Sequence, residues 1–119
     1  MKKVLYVDDA RSMRNLVQLV LEKKYDLTLK ENGAEALEIS KVEKFDVILS
    51  DINMPVMNGL EFLEKVRSDS ENRFTPILML TTEASRELKD QGKKLGATGW
   101  IVKPFDPEKL PSLIERAMK

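Results

Sequence analysis

The chain has 119 residues, with 20 basic and 20 acidic side chains and a formal net charge of zero. That length fits one domain able to bury a hydrophobic core, and the charge balance argues against a nucleic-acid binder, which carries a basic surplus. Cysteine and histidine are both absent, so disulfides and thiolate or imidazole metal sites are excluded; a metal would be held by oxygen and would be a hard cation such as Mg²⁺ or Ca²⁺.

The chain opens with Met1, Lys2 and Lys3 and then an apolar run over residues 4–7. The run stops at Asp8 and Asp9, too soon for the core of a secretory signal. No later stretch approaches the roughly 20 apolar residues that span a bilayer. A cytoplasmic, monomeric protein that binds neither membrane nor nucleic acid is expected. A single domain over residues 1–119 is expected, with no effector domain.

Further short apolar runs lie at 27–29, 45–49, 77–80 and 100–102. They are mostly continuous and rich in aliphatic residues, as suits parallel strands buried on both faces. Between them the period changes. Met13, Leu16, Val17, Val20 and Leu21 follow the spacing of one helix face. Asn32 with Glu35 resembles a capping box opening a second helix. Leu60, Leu63 and Val66, joined by Phe62, mark a third. Residues 83–95 hold only Leu88 and Leu95 as large apolar anchors, so the fourth helix is expected to sit loosely. The last pairs Asp106 as N-cap with Pro107 at its first position; Leu110, Leu113, Ile114, Ala117 and Met118 form its stripe. Pro111 conflicts with that start, so a bend or a later helix start is expected. Five strand–helix units imply an α/β fold with a parallel sheet and helices on both faces, most simply the flavodoxin-like order 2-1-3-4-5.

The informative polar residues all stand at strand ends: Asp8 and Asp9 after the first, Asp51 after the third, Thr81 after the fourth, Lys103 after the fifth. A lone aspartate or threonine in such a place is usually a turn or cap, and a lone lysine a solvated charge. Five at successive strand ends are another matter, because one topology gathers them at the switch point where open parallel sheets bind ligands. Two carboxylates about 4 Å apart repel by roughly 4 kcal/mol at an effective dielectric near 20. Lys103 and a divalent cation would offset this, and Mg²⁺ suits a site combining carboxylates with a phosphoryl group.

Four stretches then carry a family resemblance: Val7-Asp8-Asp9, the segment from Asp51-Ile52-Asn53-Met54-Pro55 to Gly59, Leu80-Thr81-Thr82-Glu83-Ala84, and Gly99-Trp100-Ile101-Val102-Lys103-Pro104-Phe105. Over its whole length the chain resembles the receiver domain of two-component response regulators, most closely the stand-alone chemotaxis type. The resemblance implies that Asp51 takes a phosphoryl group from a phosphohistidine on a sensor histidine kinase. Asp9 and Asp51 would hold Mg²⁺ directly, Asp8 mostly through water, and Asn53 through its main-chain carbonyl. Lys103 and the Thr81 hydroxyl would contact the phosphoryl oxygens, and Lys103–Pro104 would be a cis peptide. Asn53, Thr82 and Glu83 would tune the lifetime of the phosphoryl state, which is expected to be short. The output face would be the fourth helix, fifth strand and fifth helix, with Lys89, Lys93, Trp100 and Lys109 on or near it. Trp100 departs from the usual Tyr, Phe or His at the switch position, which bears on how far the ring can move with Thr81. The partner would be a flagellar motor switch protein or another downstream protein, with a phosphatase as a further partner.

Other readings compete. A stand-alone receiver can also act as a phosphorelay intermediate. A small phosphatase with an aspartyl-phosphate intermediate would carry Asp-x-Asp after the first strand, where this chain has adjacent aspartates. A flavin module would need a Ser/Thr/Gly-rich phosphate loop there, and Asp8 and Asp9 would repel the phosphate.

Overall fold

The computed structural model describes residues 1–82 and 85–119. Strands β1 (Lys3–Val7), β2 (Asp26–Lys30), β3 (Val47–Asp51), β4 (Ile77–Thr81) and β5 (Gly99–Val102) alternate with helices α1 (Arg11–Leu21), α2 (Gly33–Val42), α3 (Gly59–Ser68), α4 (Arg86–Leu95) and α5 (Leu110–Ala117). The strands form one parallel sheet in the order β2-β1-β3-β4-β5. This is the expected flavodoxin-like architecture.

Period-two alternation divides the apolar residues between two faces. Leu5, Val7, Ile48, Ile77 and Met79 pack with Ala36 and Leu37 of α2 and Phe62, Leu63 and Val66 of α3. Val4, Tyr6, Val47, Leu49, Leu78, Leu80 and Ile101 pack with Val17 and Leu21 of α1 and Leu110 and Ile114 of α5. β3 and β4 are buried at every residue, which is why 47–49 and 77–80 are continuous apolar runs rather than alternating ones, with Ser50, Asp51 and Thr81 as buried polar residues at the strand ends. Each fully buried aliphatic side chain contributes roughly 1.5–3 kcal/mol.

Several local expectations are corrected. β3 starts at Val47 rather than at residue 45, because the Phe45 N–H donates to the Asn72 side chain at 2.7 Å. Asn72 is fully buried and its amide also donates to the Ser40 and Glu43 carbonyls, so one side chain ties the ends of α2 and β3 to the loop after α3. In α1, Val17 and Leu21 are buried but Leu16 is 48% exposed; it lies at the margin of the stripe, beyond the reach of the sheet. Asn32 caps α2 by accepting from the Glu35 N–H, whereas the full reciprocal capping box is made by Asn58 and Glu61 at α3. Asp106 is an N-cap with Pro107 at the first position, as expected, but the segment it caps is a short 3-10 helix over Pro107–Lys109 rather than α5 itself. α5 begins only at Leu110, which puts Pro111 in its first turn, where the missing N–H has no helical partner to lose.

Candidate functional site

Four of the strand-end residues converge at the carboxyl edge of the sheet. β1 and β3 are hydrogen-bonded neighbours, so Asp8, one residue beyond β1, and Asp51, the last residue of β3, stand side by side. Ligand oxygens of Asp8, Asp9 and Asp51 all lie within 4.8 Å of one another. Lys103 reaches across from the end of β5, with its Nζ 3.0 Å from Asp51 Oδ2 and 3.3 Å from Asp8 Oδ2. The Lys103–Pro104 peptide is cis. Asp8 is fully buried and Asp51 is 6% exposed, while Asp9 faces solvent.

The Asp8 and Asp51 carboxylates are each held by a nearby backbone N–H. Asp8 Oδ1 accepts from the Ala10 N–H at 2.9 Å, and Asp51 Oδ1 accepts from the Ile52 N–H at 3.0 Å. Burial pushes the Asp51 carboxyl up; Lys103 pulls it down through its hydrogen bond and charge; Asp8 and Asp9 push it up again, leaving it above its ordinary range. Burial works against the Lys103 ammonium, but the hydrogen bond to Asp51 and the charges of Asp51 and Asp8 outweigh it and hold the lysine above its ordinary value. One lysine therefore leaves part of the cluster's negative charge uncompensated. Three convergent carboxylate oxygens, with no nitrogen or sulfur donor among them, fit a small hard cation.

Thr81 is buried at the end of β4, in register with Val102 of β5. Asn53 and Thr82 are exposed, and Glu83 lies outside the described residues. The loop from Ile52 to Asn58 is closed by the Gly59 N–H donating to the Ile52 carbonyl at 2.8 Å. A Cβ at Gly59 would sit 2.2 Å from the Asp51 carbonyl oxygen, so only glycine lets α3 start this close to Asp51. Within the loop Val56 has φ of 70°, a left-handed conformation that is strained for a β-branched residue.

Lys89, Lys93 and Lys109 are exposed. Trp100 is half-buried, and its ring lies against α4 at Gly92: a Cβ there would come within 2.3 Å of Trp100 Cζ2. At its far end α4 is tied to α3, because the Arg67 guanidinium donates to the Gly96 carbonyl through both Nε and Nη2. Gly92 and Arg67 were not legible as partners of Trp100 and Gly96. The available signal was a glycine in the interior of α4.

Residues 4–115 match the family model described as the response regulator receiver domain. The chain belongs to this family. Among curated relatives, the receiver is 38% identical to chemotaxis protein CheY-3 of Vibrio cholerae over 120 residues, covering 96% of this chain and 92% of that protein. It is 39% identical to chemotaxis protein CheY1 of Helicobacter pylori over 116 residues, covering 95% and 94%. Among solved structures, chemotaxis response regulator CheY4 of Vibrio cholerae matches with a TM-score of 0.91 and 52% identity over 98% of both chains. Membership makes this chain a two-component signalling module rather than a classical enzyme. Among the described residues no helix is long and apolar enough to cross a membrane.

Proposed function

We propose that this receiver is a phosphorylation switch whose acceptor is Asp51, working in chemotaxis with a flagellar motor protein downstream. The observation that carries the reading is the Lys103 ammonium bridging Asp51 and Asp8 inside a cluster of three carboxylates. A sensor kinase phosphohistidine is the donor. One Asp51 oxygen attacks phosphorus in line, the P–N bond breaks, and the departing imidazole nitrogen retains its electron pair. Lys103 and the Thr81 hydroxyl receive charge that develops on the phosphoryl oxygens. Asp9 and Asp51 would hold Mg²⁺ directly, Asp8 would meet it largely through water, and the Asn53 carbonyl would complete the protein ligands. Bound there, the ion supplies positive charge to the phosphoryl oxygens.

Asp51 gains about −1.5 to −2 of charge, which biases an element with two arrangements. α4 suits that role: Gly92 is its only buried residue among those described. The output face is then α4, β5 and α5, including Lys89, Lys93, Trp100 and Lys109. Support for chemotaxis comes from the 52% identity to a chemotaxis regulator.

The test is intact-mass spectrometry of wild type and Asp51→Asn mixed with acetyl phosphate or phosphoramidate, with and without Mg²⁺. Gain of one phosphoryl group by wild type alone, and only with Mg²⁺, is expected. An unmodified wild type that also forms no beryllofluoride complex would make the protein a phosphorylation-independent binding module.

A further inference from the structure

β1 contributes Val4, Leu5, Tyr6 and Val7 to the core, and all four are fully buried. Three are aliphatic; the fourth carries a hydroxyl that must find a partner or cost roughly 1–3 kcal/mol. Residues two apart on a strand share a face, so the Tyr6 ring lies directly beneath Asp8. Its Oη donates to Asp8 Oδ2 at 2.7 Å. The same Oδ2 is 3.3 Å from Lys103 Nζ, and Oδ1 accepts from the Ala10 N–H. The Asp8 main chain is also held, because Arg14 Nη1 donates to its carbonyl at 2.7 Å. Both oxygens of Asp8 are therefore engaged before any ion arrives, and the carboxylate plane is fixed from below.

We infer that Tyr6 is a positioning residue for the cation site, acting through Asp8 to favour Mg²⁺ over Ca²⁺. The inference rests on the proposal that the cluster holds Mg²⁺. Mg²⁺ demands near-ideal octahedral geometry and keeps several waters, whereas Ca²⁺ takes six to eight oxygens in flexible arrangements that include bidentate carboxylates. A carboxylate pinned at both oxygens presents its remaining lone pairs in one direction. That suits an ion that reaches Asp8 through an ordered water, and it hinders one that needs the carboxylate to turn and bind with both oxygens. Hydrogen-bond partners behind a ligand typically set metal affinity by 10–100-fold.

The experiment is isothermal titration calorimetry of wild type, Tyr6→Phe, Asp8→Ala and the double variant with MgCl₂ and with CaCl₂. Tyr6→Phe keeps the buried ring and removes only the hydroxyl; urea unfolding of each variant confirms that it folds. The ratio of Mg²⁺ to Ca²⁺ affinity is expected to fall about tenfold in Tyr6→Phe, and Tyr6→Phe is expected to have no effect on it when Asp8 is already alanine. A ratio unchanged within twofold, or an equal effect in the Asp8→Ala background, would overturn the inference while leaving the Mg²⁺ site intact. Failure of wild type to bind Mg²⁺ would instead remove the site itself, and the inference with it.

Discussion

Gly92 sits in the middle of α4, where alanine would ordinarily be favoured by about 0.8–1.0 kcal/mol. A Cβ built there would lie 2.3 Å from Cζ2 and 2.7 Å from Cη2 of Trp100, both atoms of a rigid ring anchored on β5. Forcing an extra carbon into a packed contact costs roughly 1–3 kcal/mol, so the clash outweighs the propensity. Gly92→Ala is expected to destabilise the receiver by about 1 kcal/mol. In a Trp100→Ala background the obstacle is gone, and the same substitution is expected to stabilise by about 1 kcal/mol. The coupling of about 2 kcal/mol is within the range for residues in contact. Urea unfolding followed by far-UV circular dichroism measures both, read as midpoint shifts at constant slope. Trp100 is the only tryptophan, so its emission in the single variant reports displacement of the ring itself. The same sign of effect in both backgrounds would refute the indole as the reason for this glycine.

Three other outcomes are expected. Val56 is 83% exposed, so Val56→Asn loses little packing and relieves a left-handed strain of about 1–2 kcal/mol; Tm should rise by several degrees, and a fall would count against the strain. Because the Asp51 carboxyl is raised from its ordinary 3.8, the native state binds its proton more tightly than the unfolded chain does. Its contribution to stability is then full below about pH 4 and lost as pH rises through the native value. Asp51→Asn is accordingly expected to be more stable than wild type at neutral pH without Mg²⁺, with the gain disappearing in acid; equal urea midpoints at pH 7 would contradict this. The Tyr25 hydroxyl donates to Glu115 Oε1 at 2.8 Å, and burial with that bond pushes the phenol up to about 12. Native Tyr25 keeps its proton where the unfolded chain loses it near pH 10, so its contribution is full below about pH 10 and disappears through about pH 12. Tyr25→Phe should flatten the stability curve across that window; a series of urea midpoints checks it.

The strands and the polar residues that end them were legible in the chain. Apolar runs such as 45–49 and 77–80 leave water by being covered on both faces, and Asp8, Asp51 and Lys103 follow such runs at a single kind of place. Caps were legible only in part: Asn32 caps α2 through the Glu35 N–H alone, whereas Asn58 with Glu61 makes the reciprocal box at α3. Pro111 signalled a conflict without saying which resolution would follow, because a 3-10 turn and a bent helix satisfy local sterics equally well.

Tertiary structure decided the rest. Lys103 meets Asp8 across 95 residues of sequence and Asp51 across 52. Tyr6 reads as one more apolar residue of β1 until its hydroxyl is seen beneath Asp8, and Gly92 reads as a weak point of α4 until Trp100 is seen filling the missing side chain's place. Periodicity along a chain records which residues leave water, since burial acts on each segment separately. Which side chains then touch depends on how the segments pack, and that is settled only when all of them share one core.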